Sequence, residues 1–125
     1  MKKLLFMFSA VLLLTVMSGF ESTESLAKFK KFVGSWEYQA PQAPYEYQKG
    51  VMNFTKEGKE LKGNVEVMGS SIPLNDIQTE KRHLSGYFYV QGEKVVISLD
   101  FEKNIFKGTA SYSQGSLELL GTRKE

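Results

Sequence analysis

The chain has 125 residues, no cysteine, a single histidine, and 16 basic against 14 acidic residues. This length supports one domain with its own core, while the composition excludes disulfides and the usual zinc ligand sets. The small net charge gives no electrostatic basis for binding nucleic acid or an anionic membrane.

The first eighteen residues predict an export signal. A basic start at Lys2 and Lys3 precedes an apolar run over residues 4–17, and small residues follow. That order is typical of a signal peptide, and the run is shorter than the roughly 20 residues that span a bilayer. We therefore expect 1–18 to be removed and 19–125 to form one exported domain, periplasmic or extracellular and not lipid-anchored. An uncleaved anchor is the alternative.

Residues 24–33 predict a short helix. Leu26, Phe29 and Val33 recur at helical spacing, and Gly34 can end the helix. This apolar face is small for a membrane-surface helix, so we expect the helix to cover one end of the core.

From Trp36 onward, apolar residues recur with a period of two, which predicts strands. The predicted strands cover residues 35–40, 45–55, 60–68, 71–78, 83–90, 94–102, 104–111 and 116–123. Their connections are short, so neighbours are antiparallel. Inward glycines such as Gly63, Gly108 and Gly121 favour a strongly bent sheet. The predicted fold is all-β: an eight-stranded antiparallel up-and-down barrel with a short N-terminal helix covering one end.

Four short motifs follow one another along the chain: Gly34-Ser35-Trp36, residues 50–54, residues 61–65 and Gly121-Thr122-Arg123-Lys124. In their order and spacing the chain resembles the lipocalin-like group within the calycins, and especially small exported bacterial domains with a G-x-W … G-T-R-K layout. The resemblance implies that Trp36 stacks against Arg123 from the last strand. Together with Gly34, these residues would close the barrel.

The loops of the predicted barrel differ between its two ends. Loops 56–60, 79–82 and 102–104 are densely charged, whereas loops 41–44, 69–71, 91–94 and 113–115 are nearly uncharged. Because alternate loops of an up-and-down barrel share one end, we expect the charged end to be closed by the helix. The uncharged end would be the mouth.

Side-chain alternation predicts which residues face the mouth. The predicted ligand-binding residues are Tyr38, Glu46, Gln48, Val67, Ile72, Phe88, Val90, Tyr112 and Leu117. An apolar wall with a few polar groups is typical of small-molecule pockets. The alternative is that these side chains meet and fill the barrel. Among acidic residues, alternation places only Glu46 and Asp76 inward.

Two functions are compatible with this pattern. The first is binding of a small apolar or amphipathic molecule at the mouth. The second is a protein-interaction or inhibitor module with a packed barrel, which would dock on another exported protein through its uncharged loops or its outward tyrosines. Those tyrosines are Tyr45, Tyr47, Tyr87 and Tyr89.

Catalysis ranks last. The sequence contains no nucleophile elbow, P-loop or dinucleotide fingerprint. His83 lies in a charged loop and is interpreted as a solvated turn residue. We therefore predict no enzymatic activity, no catalytic residue, no metal and no cofactor. A five-stranded oligonucleotide-binding barrel is disfavoured by the strand count and by the charge, because removal of residues 1–18 leaves fourteen charges of each sign.

Overall fold

The computed structural model describes residues 27–124, and within them nine antiparallel strands form one sheet. The strands are β1 (Gly34–Gln39), β2 (Lys49–Glu57), β3 (Glu60–Val67), β4 (Ser70–Pro73), β5 (Asn75–Glu80), β6 (His83–Val90), β7 (Glu93–Glu102), β8 (Ile105–Tyr112) and β9 (Gly115–Arg123). The hydrogen-bonded order is β4-β3-β2-β1-β9-β8-β7-β6-β5, so the last strand returns to pair with the first. The predicted signal peptide lies outside the described residues.

The strand predicted over residues 71–78 is in fact two strands, so the predicted count of eight is wrong. β4 pairs with β3 at one edge of the sheet, β5 pairs with β6 at the other edge, and only Leu74 separates them. Pro73 has no N–H to continue a ladder, and Asp76 has a φ of 51°. The Leu74 N–H donates to the Gly63 carbonyl at 2.8 Å. The chain thus crosses between the edges at a corner, which makes the sheet a nearly closed up-and-down barrel.

The predicted helix over 24–33 is only a short turn. Residues 27–29 are helical, and the Phe29 carbonyl accepts hydrogen bonds from Phe32 N–H at 2.9 Å and Val33 N–H at 3.1 Å. Residues 24–26 lie outside the described part of the chain. The described part of the turn has too few hydrogen bonds to offset helix nucleation, and packing of Phe29 and Phe32 into the barrel holds it. No helix among residues 27–124 is long and apolar enough to cross a membrane.

The strand predicted over 45–55 begins only at Lys49. Tyr45–Tyr47 instead forms a 3-10 turn, in which Tyr47 N–H donates to the Pro44 carbonyl at 2.8 Å. Pro44 favours this turn because its φ is fixed near the value that a turn requires. The two-residue alternation therefore does not extend upstream of Lys49, and side chains there take other directions.

Inward glycines create room for aromatic rings. A Cβ atom added at Gly121 on β9 would lie 2.1 Å from the Phe106 ring of β8, its cross-strand partner. Only glycine leaves space for the ring at this position. The contact between Gly121 and the Phe106 ring is therefore one place where an inward glycine makes room in the curved sheet, as predicted.

Candidate functional site: a cavity at the open end of the barrel

The end of the barrel nearest the helical turn is closed around Trp36. The Arg123 guanidinium lies 4.2 Å from the indole ring, and its Nη1 donates to the Val33 carbonyl at 2.5 Å. The indole N–H donates to the Phe32 carbonyl at 2.9 Å. Gly34 has a φ of 135°, and a Cβ there would lie 2.6 Å from Arg123 Nη1. The guanidinium therefore needs a glycine at this position to reach the indole. Gly34 opens β1, so the prediction that it ends a helix is wrong.

Five aromatic side chains fill this end, and we call them the aromatic plug: Phe32, Trp36, Phe54, Phe101 and Phe106. Phe101 lies at the centre, with ring centroids 5.0 Å from Phe32, 4.9 Å from Trp36 and 5.2 Å from Phe106. The first two contacts are edge-to-face, the arrangement that aromatic quadrupoles favour. All five side chains are buried and in mutual contact, so the centre of this end is filled by their rings.

The other half of the interior contains a cavity of about 260 Å³. Its wall is mainly apolar and includes Met52 and Ile97 near the plug and Phe88 and Leu117 nearer the mouth. Small-molecule pockets usually measure about 300–1,000 Å³. The volume lies just below that range, which suits a small ligand.

Most of the residues predicted to face the mouth do line this cavity: Tyr38, Val67, Phe88, Val90, Tyr112 and Leu117. Ile72 packs against the core without forming part of the wall. The inward placement of Glu46 and Gln48 is wrong. Glu46 is exposed, and the Gln48 amide donates to the Ala43 carbonyl at 3.1 Å. The cause is the 3-10 turn, which interrupts the alternation on which their placement depended.

Sequence reasoning missed several wall residues: Ala40, Ala43, Pro44, Tyr47, Gln91 and Glu93. Tyr47, predicted to point outward, lies on the wall because of the same turn. Glu93 was detectable, since it continues the inward series of Val95 and Ile97 one step toward the start of β7. Asp76, predicted as an inward acid, is exposed at the corner between β4 and β5. The other missed wall residues lie in loops, where no periodic pattern predicts the direction of a side chain.

Two polar groups face the cavity with defined partners. The Tyr38 hydroxyl donates to the Tyr47 carbonyl at 3.1 Å, and burial, with a smaller contribution from Tyr47, raises the pKa of Tyr38 to about 12. Glu93 Oε1 accepts hydrogen bonds from the backbone N–H of Ser113, at 3.1 Å, and from its hydroxyl. Among the described residues, Glu93 is the only one on the wall with a formal charge at neutral pH.

Residues 40–48, which we call the mouth loop, cover part of the opening. The Ala40 N–H donates to the Gln48 carbonyl at 2.7 Å and closes the base of the loop. Gln42 Oε1 accepts from the backbone N–H of Glu118 at 3.0 Å, which fastens the loop to β9. Ala40 and Ala43 are buried against the cavity. The loop is therefore a fixed part of the wall.

His83 lies in a strand and not in a turn as predicted, although its side chain remains 41% exposed to solvent. It begins β6, is partly buried, and lies between two side chains of β7. His83 Nδ1 is 2.9 Å from Asp100 Oδ1, and Nε2 is 3.1 Å from Ser98 Oγ. This chain of hydrogen bonds does not belong to the cavity wall, because its members alternate with the inward residues of both strands.

The fold is similar to those of two solved β-barrels. A Schistosoma mansoni fatty acid binding protein, solved in complex with arachidonic acid, superposes with a TM-score of 0.56 at 11% identity, covering 78% of this chain and 99% of that one. A redesigned β-barrel superposes with the same TM-score at 17% identity, covering 78% of this chain and 96% of that one. No protein-family model matches the sequence, and no curated protein matches it. At these identities the likeness concerns the fold alone.

Proposed function

We propose that this protein is an exported lipocalin-like barrel that binds a small apolar or amphipathic molecule in the cavity. The observation that carries the proposal is the apolar cavity itself, at the end where the sequence predicts a mouth. A packed barrel would have filled this space with side chains, as the aromatic plug does at the other end. The fatty acid binding protein offers support by its fold, since that barrel holds a lipid.

A fluorescence assay with a neutral apolar probe, N-phenylnaphthylamine, tests this proposal. Ala110 lies on the cavity wall, so Ala110→Leu would place a larger side chain inside the cavity. Thr109→Leu is the matched control, because Thr109 is exposed on the outer face of the same strand. We expect the probe to bind the native protein and the control equally, and to bind Ala110→Leu at least tenfold more weakly, by roughly 1.4 kcal/mol. Equal binding by all three, or no binding by any, would contradict the proposal.

Export is the second part of the proposal. The basic and apolar order of residues 1–18 supports it, and a single domain over 19–125 is the expected mature protein. Intact mass measurement on protein recovered from the periplasm or medium of an expressing bacterium tests the cleavage. A mass that retains the first eighteen residues would contradict it.

An interaction module is the second candidate function, and an exposed aromatic patch on the outer face favours it. Tyr89 is 53% exposed and Val96 is 42% exposed, and Tyr87 packs edge-to-face on Tyr89. Tyrosine is enriched at protein interfaces. Capture of one exported protein that is lost with Tyr87→Ala plus Tyr89→Ala, while probe binding persists, would establish this second function.

We also infer that the hydrogen-bonded chain Ser98–His83–Asp100 is structural and that the protein is not an enzyme. The chain lies on the outer face of β6 and β7, and the backbone of Ser98 is held within the β6–β7–β8 ladder. A serine nucleophile needs nearby N–H groups that are available to a developing oxyanion. Ester hydrolysis that is lost on Ser98→Ala would contradict this inference.

A further inference from the structure

Resting on the proposed function, we propose that the cavity selects a neutral ligand whose head group donates hydrogen bonds, such as an alcohol, and discriminates against carboxylates. The reason is the polar chemistry of the wall, which is concentrated near the mouth. A ligand with an apolar body has to place its head group there, beside Glu93 and the tyrosine hydroxyls.

Glu93 lies on the inward side of β7, and its orientation is fixed. Inward residues of this strand alternate from Glu93 through Val95 and Ile97 toward the plug. Both donors that hold its carboxylate come from Ser113, in the turn between β8 and β9. The carboxylate therefore stays at the rim of the cavity, where an entering head group meets it.

The polar groups with defined partners present acceptors to the cavity. An ionised carboxylate has no hydrogen to donate. Tyr38 gives its hydroxyl hydrogen to the Tyr47 carbonyl, which leaves the phenolic oxygen as an acceptor. A ligand hydroxyl can donate to these two oxygens, whereas a ligand carboxylate can only accept, and the wall groups from which it could accept are Tyr47, Gln91 and Tyr112.

The charges around the cavity also disfavour a ligand carboxylate. Within residues 27–124, no lysine, arginine or histidine lies on the cavity wall. The nearest basic residue in sequence to Glu93 is Lys94, and its ammonium group lies 4.3 Å from the ring of Tyr87 on the outer face. A ligand carboxylate would lose its hydration in an apolar site and would face a like charge from Glu93, and both effects disfavour the ionised form.

A pair of ligands that differ only in the head group tests this inference. Decanol and decanoate carry the same apolar chain, and each can be measured by displacement of N-phenylnaphthylamine at neutral pH. We expect decanol to displace the probe at concentrations at least about tenfold lower than decanoate does, because only the carboxylate meets repulsion and lost hydration. Equal displacement by the two ligands would overturn the inference and leave the proposed function intact.

The Glu93→Gln variant tests whether the charge of Glu93 causes the preference for decanol over decanoate. The glutamine carbonyl can still accept both hydrogen bonds from Ser113, so the rim keeps its shape while its charge is removed. We expect decanoate to gain roughly three- to tenfold in affinity in this variant. Glu102→Gln, an exposed position at the closed end of the same strand, makes the same change in net charge and should leave the ratio of the two ligands unaltered.

Further outcomes of these measurements would overturn the proposed ligand class or the proposed function. A Glu93→Gln variant that keeps the full preference for decanol, or a native protein that binds decylammonium over tenfold more tightly than decanol, would overturn the proposed ligand class. Failure to bind both the probe and decanol would overturn the proposed function, and this inference with it.

Discussion

The two halves of the barrel interior are built from the same alternating strands but have opposite character. In one half, five aromatic rings meet at centroid distances of 4.9 to 6.0 Å and leave no ligand space among them. In the other half, small side chains such as Val65, Val67 and Ala110 alternate with larger ones such as Phe88 and leave a cavity between them. Strand pairing is continuous from one half to the other, so side-chain volume decides which end is solid. Stability should therefore depend mainly on the plug, and binding on the open end.

The largest effect is expected for Trp36→Ala in the aromatic plug. The indole is fully buried, covered by Arg123 and hydrogen-bonded to the Phe32 carbonyl. Removing a buried Trp side chain typically costs about 3–5 kcal/mol. Urea unfolding should show this loss, whereas Leu117→Ala, on the cavity wall, should lower the free energy of unfolding by clearly less. Comparable losses in the two variants would remove the distinction between the two halves.

Adding atoms should destabilise the plug end of the barrel and leave the stability of the open end nearly unchanged. Gly121→Ala places a methyl group within 2.1 Å of the Phe106 ring, so we expect a loss of about 1–3 kcal/mol from overpacking. Ala110→Leu adds more atoms but points them into the cavity, so its free energy of unfolding should stay within about 1 kcal/mol of the native value. Thermal unfolding measures both. A greater loss in Ala110→Leu would show that the open end is as tightly packed as the plug.

Tyr38 gives the open end a pH dependence. Because burial raises its pKa to about 12, the unfolded chain loses this proton at lower pH than the native protein does. Its contribution to stability is complete below about pH 10, the ordinary tyrosine value, and is lost as the pH rises toward 12. Tyr38→Phe removes the phenol.

At neutral pH we expect Tyr38→Phe to cost about 1 kcal/mol, the usual contribution of one hydrogen bond. Between about pH 10 and pH 12, its free energy of unfolding should fall less steeply with pH than that of the native protein. Parallel slopes in urea denaturation series would show that Tyr38 ionises as freely in the barrel as in the unfolded chain.

The smallest effect on stability is expected for Gln42→Ala in the mouth loop. Only one side-chain hydrogen bond, to the Glu118 N–H, fastens the tip of this loop to β9, so the loss should be about 0.5–1 kcal/mol. Probe dissociation, measured by stopped-flow fluorescence, should become a few-fold faster because the loop covers the opening. The control is Gln114→Ala, in an exposed turn. An unchanged dissociation rate in Gln42→Ala would mean that the ligand leaves by another route.

Much of the barrel could be predicted from the sequence because alternation is a local signal that the structure preserves. The inward positions of β6 to β9 follow it from end to end, and Trp36 and Arg123 are paired across β1 and β9. The prediction failed where prolines intervene. Pro44 favours a turn that reverses the inferred directions of Glu46 and Tyr47, and Pro73 marks the corner that divides one predicted strand into two.

The cavity was harder to predict than the fold because its volume depends on how side chains from different strands meet. Alternation places Phe88 and Tyr112 inward, yet it contains no measure of the space left between them. Four residues of the mouth loop, Ala40, Ala43, Pro44 and Tyr47, also form part of the wall. Their positions depend on the non-local hydrogen bond between Gln42 and β9.

Mapping of the bound probe by nuclear magnetic resonance tests the central claim most directly. Backbone amide shifts of the isotope-labelled protein would be followed during titration with N-phenylnaphthylamine. We predict saturable changes at residues around the cavity, such as Phe88, Val95 and Leu117, with little change at Phe54 and Phe101 in the plug. Shifts centred on the plug, or no shifts at saturating probe, would contradict the assignment of binding to the open end.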